Sequence, residues 1–382
     1  MLIVQICQNF FTHGGVMKRS RQESLALLKA GHRVIVLTDV IYMSHLYQFK
    51  KYNKKLHIIP IKPIFLYGLR NLSSQLTFTL KTFFSLRKIT EKEKIDLIVC
   101  HGSVPSYAVA PFGKKKHIPT ALVIQDVIRD RIVTGNPYNW LETRIFLHSN
   151  LFAFRNMYYV IVVSKYNRML VLRDGASPER TFIKYNAVNT ELFKPINGIS
   201  KDIDILFIGR LSIEKGIDIL IDSIKLLIQK RRILIIGRGP LKKELQAYAR
   251  QVRQHEIIFE GFVNHDSLPH YINRSKIVVT PSRSESQASV PLESMSCGVP
   301  VIASRASGME DSIDHKKSGW LLRENKPDIL AQQIEEVIDN ESLLSEIGLS
   351  ALKKSEFFSQ KKFFNEIIGF LEMLINNYKN DL

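Results

Sequence analysis

Cysteine occurs only three times in the 382 residues, as Cys7, Cys100 and Cys297. The odd number and wide spacing exclude a disulfide framework, and no two of them form the CxxC pair of a metal site, so a reducing, cytoplasmic setting is expected. No run of 18 apolar residues occurs, which excludes a helix that spans a bilayer. The opening MLIVQICQNFF is apolar but has no basic segment before it and no small-residue cleavage site, and Gln5, Gln8 and Asn9 interrupt it. It reads as a buried strand and not as a signal peptide. Internal repeats and low-complexity tracts are also missing. With 24% charged and 45% hydrophobic residues, neither disorder nor a fibrous chain is suggested, and the length favours two domains.

Acidic residues are scarce in the first half. Residues 1–195 carry 29 Lys and Arg against 11 Asp and Glu, while residues 196–382 carry 25 against 25, so the whole +18 lies in the first half. Such an excess suits an anionic partner: a membrane surface, an acidic acceptor or nucleic acid. A merely solvated surface accounts equally well for tracts such as Lys50, Lys51, Lys54, Lys55 and Lys114 to Lys116.

Short β-rich apolar runs alternate with amphipathic stretches, the pattern of parallel sheets covered by helices on both faces. Strands are predicted at 2–7, 33–38, 56–60, 96–100, 120–125 and 159–164, and a helix at 16–30 closed by Gly31. Leu72, Leu76, Leu80, Phe83 and Phe84 recur at helical spacing among basic neighbours. That suits a membrane-facing helix or a core helix, and core packing is the expectation. After residue 185 the texture changes to YNAVNTELFKPINGISKD, which predicts a linker at 186–202 between domains 1–185 and 203–382. Strands are predicted in the second half at 203–209, 232–237, 257–261, 276–280 and 299–304. Helices are expected near 215–229, 241–251, 267–273 and Pro291, with further helices closing the chain from Asp328.

Two segments carry chemistry. In PSRSESQASVPLESMSCGVPVIAS (281–304), Glu285 precedes a turn and Glu293 lies inside the helix that follows, with Pro291 in its first turn. N–H groups near Gln287, Ala288, Ser289 and Val290, together with the helix dipole, would make an anion site suited to a diphosphate. The two carboxylates would then accept hydrogen bonds from hydroxyls on either side of it, one on a sugar and one on a ribose. Either Glu alone reads equally as a solvated surface residue. In FIGRLSIEKGIDILIDSI (207–224), Arg210 and Lys215 follow a strand's carboxyl end, where doubly wound sheets bind ligands. Fixed positive charge there would stabilise a departing diphosphate. Singly, each also reads as a surface cation.

In order and spacing these segments resemble the retaining glycosyltransferases of family 4, and the resemblance runs over nearly the whole chain. It includes Gly14-Gly15, GHRVIVLT (31–38), YNAVNTELFKP (185–195), GRLSIEKG (209–216), IGRGP (236–240), FEGFV (259–263), Glu285 with Glu293, and CGVPVIAS (297–304). The resemblance implies the GT-B arrangement, an α/β fold of two Rossmann-like domains facing across a cleft, with closing helices near the junction. It implies that Arg210 and Lys215 hold the donor diphosphate, Glu285 the sugar, Glu293 the ribose and the backbone near Val263 the base. The Gly14-Gly15 loop would approach the phosphates from the first domain. Transfer of a hexose-type sugar from a nucleotide-diphosphate sugar to a glycan or lipid-linked acceptor is the expected activity, in cell-surface polysaccharide synthesis, with no metal or other cofactor. The acceptor half would make peripheral contact with an anionic membrane at its inner face, and nucleic acid is not expected, for want of a motif.

Three departures stand out. The family's usual His after the fifth strand is Gln125 here, and Gln cannot act as a general base. Asp126 is the nearest ionisable candidate for a catalytic role, a structural Asp being an equal alternative. Ala187 and Asn189 replace the usual Gly and Asp. Asp202-Ile203-Asp204 looks like a manganese-binding DxD but opens a strand, so it reads as structural. Gly237-Arg238-Gly239 is a weak dinucleotide fingerprint. His101 suits a cleft position or a buried, satisfied histidine. Two other functions compete with transfer: an impaired transferase-like partner protein, suggested by Gln125, and a nicotinamide-dependent oxidoreductase, which lacks its GxGxxG in QNFFTHGG.

Overall fold

The structure, a computed structural model, describes residues 1–381 apart from 9, 11–14, 40–46, 63, 65–69, 126, 128–139, 253 and 307; for 15, 16, 47, 48, 70–72 and 140–142 it describes the backbone alone. The chain forms two compact units, one of Met1–Arg129, Pro137–Tyr185 and Phe363–Leu382, the other containing Asn186–Lys362.

The first unit carries a sheet of seven strands: β1 (Leu2–Ile6), β2 (Arg33–Thr38), β3 (Leu56–Pro60), β4 (Leu97–His101), β5 (Thr120–Ile124), β6 (Tyr159–Val162) and β7 (Thr181–Ile183). Their order is β3-β2-β1-β4-β5-β6-β7, and every pairing is parallel. Val4 sits opposite Ile35 on one side and Ile98 on the other. Central strands such as β1 are buried throughout, as β-branched runs covered on both faces must be. The second unit carries β8 (Ile203–Ile208), β9 (Arg232–Ile236), β10 (Glu256–Gly261), β11 (Ser275–Thr280), β12 (Val301–Ser304) and β13 (Trp320–Leu322), in the order β10-β9-β8-β11-β12-β13 and again parallel. The strands predicted from sequence coincide with the observed ones to within one or two residues at an end. The two that the sequence pattern missed, β7 and β13, are three-residue edge strands, too short to show a period.

The closing helix corrects the expected domain of 203–382. Helix Gln360–Asn380 buries Phe363, Ile367, Phe370, Leu371, Leu374, Ile375 and Tyr378 along one face, and it packs on the first unit. The Tyr159 hydroxyl donates to the Leu374 carbonyl at 2.8 Å, and the Phe370 and Tyr378 rings meet Phe182 and Tyr158 at 5.5 and 4.5 Å. Amphipathic spacing shows that a helix has a buried face but not which sheet covers it.

The expected linker is stitched into the second unit. Val188 pairs with the chain around Ser359, Ser296 Oγ donates to the Phe193 carbonyl at 2.6 Å, and Ile196 N donates to Asn273 Oδ1 at 2.9 Å. Asn189 Oδ1 accepts from the backbone N–H groups of Glu191 and Leu192, the turn-capping role that Asp would play.

Candidate active site

In the second sheet the strand order changes direction between β8 and β11, so the loops leaving their carboxyl ends diverge and open a crevice, the place where such sheets take ligands. The loop after β8 holds Arg210, exposed, and then Lys215 in a short turn before helix Ile217–Ile224. Gly216, between that turn and the helix, has φ +66°, and a Cβ there would lie 1.8 Å from the Pro281 carbonyl oxygen. Only glycine lets this turn close on the loop after β11. The closure brings Lys215 Nζ onto Glu285 Oε1 as an ion pair, and Ser282 Oγ donates to the same oxygen at 3.1 Å.

The loop after β11 is held rigidly by residues that sequence reasoning missed. Arg283 makes two bonds to Asp218, at 2.8 and 2.6 Å, and these hydrogen bonds push its guanidinium above the usual range against the pull of burial. Its backbone N–H donates to the Glu214 carbonyl at 2.8 Å. Asn325 Nδ2 donates to the Pro281 carbonyl at 2.9 Å, and the Gly308 N–H donates to the Glu285 carbonyl at 2.8 Å. These partners lie far apart in sequence, so no local spacing announces them.

Helix Ser289–Ser296 follows, with Ala288 as N-cap and no side-chain cap hydrogen bond from that residue. The N–H groups of Ser289 and Val290 therefore belong to an N-terminus left without a capping side chain, where the helix dipole favours an anion. Gln287 is buried just before it, its Oε1 accepting from Asn186 N at 2.6 Å. Glu293 is buried in the second turn, and His265 Nε2 lies 2.9 Å from its Oε1. His265 also meets the Phe193 ring edge-on at 5.0 Å. It sits in the turn after β10, two residues beyond the half-buried Val263, and nothing in the sequence pattern singles it out. Arg210, Lys215, Val263, Glu285, the 287–290 segment and Glu293 thus all come from segments that follow the carboxyl ends of β8, β10 and β11.

The Gly237-Arg238-Gly239 turn packs against the loop after β8. A Cβ on Gly237 would fall 1.8 Å from the Gly209 carbonyl oxygen, and Leu211 N donates to the Arg238 carbonyl at 3.0 Å. Its glycines serve loop contact. Asp202 and Asp204 flank the start of β8, at the opposite edge from the crevice. Asp202 accepts from Arg274 at 2.8 and 2.6 Å and from Arg232 at 2.9 Å; Asp204 accepts from Arg232 N at 2.9 Å and pairs with Lys276 at 2.8 Å. Hydrogen bonding to Arg274 holds the Asp202 carboxyl below its usual range. Both carboxylates are structural, as their place at a strand start suggested.

In the first unit, Gly14 and Asp126 lie outside the described residues. Gly15 opens helix Gly15–Lys29. Gln125 is buried after β5, its carbonyl accepting from Asn167 Nδ2 at 3.4 Å. His101 is buried at the end of β4, with Nε2 3.4 Å from Glu23 Oε2. Glu23 also binds Arg19 at 2.6 Å, and Arg19 donates to the carbonyls of Lys184 and Tyr185 at 3.0 and 2.7 Å. Burial alone would raise the Glu23 carboxyl; the Arg19 charge and the hydrogen bond and charge of His101 outweigh it and hold the carboxyl at about 2.

Residues 13–192 match the family described as Glycosyltransferase Family 4, and residues 189–354 match that described as Glycosyl transferases group 1. Over 277 residues the chain is 31% identical to an uncharacterized glycosyltransferase of Methanocaldococcus jannaschii, spanning 72% of this chain and 75% of that one. It is 27% identical over 338 residues to the gpi3 component of the phosphatidylinositol N-acetylglucosaminyltransferase of Schizosaccharomyces pombe, spanning 85% and 70%. The solved structure of Anabaena HepE in complex with UDP and glucose shares the fold, with a TM-score of 0.77 at 19% identity over 98% of this chain and 100% of its own.

Proposed function

The chain belongs to glycosyltransferase family 4, and we propose that it moves a hexose-type sugar from a nucleotide-diphosphate sugar, with retention, to a glycan or lipid-linked acceptor in cell-surface polysaccharide synthesis. The observation that carries this reading is the Lys215–Glu285 ion pair in the crevice between β8 and β11, beside the uncapped helix Ser289–Ser296. When a donor enters, its diphosphate takes over Lys215, with Arg210 and the helix N-terminus as further partners, and Glu285 turns to a sugar hydroxyl. Glu293, held by His265, accepts from the ribose, and the backbone at Val263 meets the base. The bond from the anomeric carbon to the phosphate oxygen breaks with its electrons passing to the diphosphate. The acceptor oxygen bonds to the same face of the sugar, and its proton passes to the leaving phosphate. Fixed cations stabilise the charge developing there without a metal.

The basic first half supports an acceptor displayed at an anionic membrane, and we place the enzyme at its cytoplasmic face. Among the described residues no helix is long and apolar enough to cross a membrane, so the contact proposed is peripheral. The Schizosaccharomyces pombe relative is named for phosphatidylinositol, a lipid, which supports an acceptor of that kind. Gln125 keeps one other reading in view, an impaired partner protein, and a transfer assay separates the two.

That assay offers nucleotide sugars in excess EDTA and reads the product by NMR. Undiminished transfer with the donor's anomeric configuration preserved is expected. Complete loss on chelation restored by manganese, or an inverted product, would contradict the mechanism, and no turnover with any donor and acceptor would favour the impaired partner.

A further inference from the structure

Helix Arg70–Thr90 buries hydroxyls on its inner face and carries a second, apolar stripe on its outer one. Ser73, Ser74, Thr79 and Thr82 are buried together with Phe78, Leu86 and Ile89, whereas Leu76, Leu80, Phe83 and Phe84 stand 49, 60, 37 and 52% exposed. The core packing expected of that spacing is therefore corrected at all four positions; the Leu72 side chain lies outside the described residues. Two of the inward hydroxyls have clear partners: Thr79 Oγ1 donates to the Gln75 carbonyl at 2.8 Å, and Ser74 Oγ accepts from Gln8 Nε2 at 3.1 Å; the buried Thr82 Oγ1 makes no hydrogen bond among the described residues. Positions 76, 80, 83, 84, 87 and 88 fall on one stripe of a helix, so the apolar ridge runs directly into Arg87 and Lys88.

Neighbours widen the ridge. Ile64, also exposed, is tied to its flank by a bond from its N–H to Thr77 Oγ1 at 3.1 Å. Phe83 meets the buried Phe112 at 5.9 Å, which joins the ridge to helix Ser106–Lys116. That helix ends in the exposed Lys114, Lys115 and Lys116. Against these cations stands Glu91, which pairs with Arg87 at 3.4 Å on the exposed surface. A contiguous apolar patch bordered by cations marks an interaction surface.

We infer that this face is the docking surface for an anionic lipid bilayer. The inference rests on the peripheral-membrane reading above and gives it a location. A bilayer uses both halves of the surface: the Leu and Phe side chains enter the boundary between headgroups and acyl chains, roughly 5–10 Å deep, while the lysines reach lipid phosphates. A soluble acidic glycan would engage the cations and leave the ridge in water. A second copy would set two strongly basic halves face to face.

The test is co-sedimentation with vesicles of phosphatidylcholine alone and of phosphatidylcholine with phosphatidylglycerol, at rising salt. The wild type is expected to bind the anionic vesicles in preference and to release as salt rises. Leu80→Glu with Phe84→Glu should weaken that binding by about tenfold or more at an unchanged melting temperature, since the ridge supplies the inserted area. Lys114→Gln, Lys115→Gln and Lys116→Gln together should weaken it and flatten its salt dependence. Equal binding by the wild type and both variants overturns the assignment of this face and leaves the membrane reading standing. No binding of the wild type to either vesicle overturns both, and self-association that disappears in the Leu80/Phe84 variant assigns the face to a second copy instead.

Discussion

Replacing Lys215 or Glu285 by alanine is expected to lower kcat/KM for sugar transfer by about 10²- to 10³-fold, the usual effect of removing a preorganised group that meets developing charge. Lys215→Ala removes the cation and leaves Glu285 Oε1 with the Ser282 hydroxyl as a donor. Glu285→Ala keeps the cation but removes the acceptor proposed for the sugar. Neither change should unfold the protein. The pair is partly solvated, and such ion pairs contribute about 0–1 kcal/mol to stability. Lys215→Arg restores charge without geometry and should recover only part of the rate. His265→Ala belongs lower on the same scale: Glu293 stays buried but loses a partner at 2.9 Å, so the donor KM should rise severalfold with kcat nearly unchanged. Steady-state kinetics beside thermal melts check the series, and wild-type rates in both Lys215→Ala and Glu285→Ala would refute the site.

Arg19→Ala should destabilise the fold more than any of these changes, by about 3–5 kcal/mol, because it strands a buried carboxylate. Arg19 and Glu23 are each 1% exposed. The guanidinium also holds two backbone carbonyls, of Lys184 and Tyr185, and lies 4.4 Å over the Phe363 ring. Tyr185 ends one segment of the first unit and Phe363 begins the next. One side chain thus ties the end of one segment to the start of the other within that unit. The Glu23 carboxyl titrates at about 2 when folded, below its unfolded value. Its contribution is therefore complete above the ordinary carboxylate range of about 4–4.5 and is lost as pH falls from there through 2. Urea unfolding across that window should show the loss in the wild type and not in Glu23→Gln. A Glu23→Gln protein with wild-type stability and an unaltered acid limb would show that the network contributes nothing.

The strands were legible because fully buried parallel strands write themselves as β-branched runs. Less legible was everything that depends on what lies across from a residue. Periodicity put Leu76, Leu80, Phe83 and Phe84 on one face of a helix but could not say that this face looks outward while Thr79 and Thr82 look in. The amphipathic helix Gln360–Asn380 could not announce that it returns to the first sheet. At the site, Arg210, Lys215, Glu285 and Glu293 were readable because each sits at a fixed offset from a strand end or helix start. His265, Arg283 and Asp218 were not, since their partners are 28 and 65 positions away and meet them only through the sheet order. Gly216 was visible as a residue, and its reason, the approach of Pro281, only in three dimensions.

The crevice after β8 and β11 is proposed to hold a nucleotide-diphosphate sugar through Lys215 without a metal. The most direct measurement of this is calorimetric titration of the full chain with UDP-, GDP- and ADP-sugars in excess EDTA, run in parallel on Lys215→Ala. Saturable binding of at least one donor to the wild type is expected, with a loss of affinity of about tenfold or more in Lys215→Ala, the effect of one charge-assisted hydrogen bond. Binding that requires manganese, or binding undiminished in Lys215→Ala, would contradict the proposal.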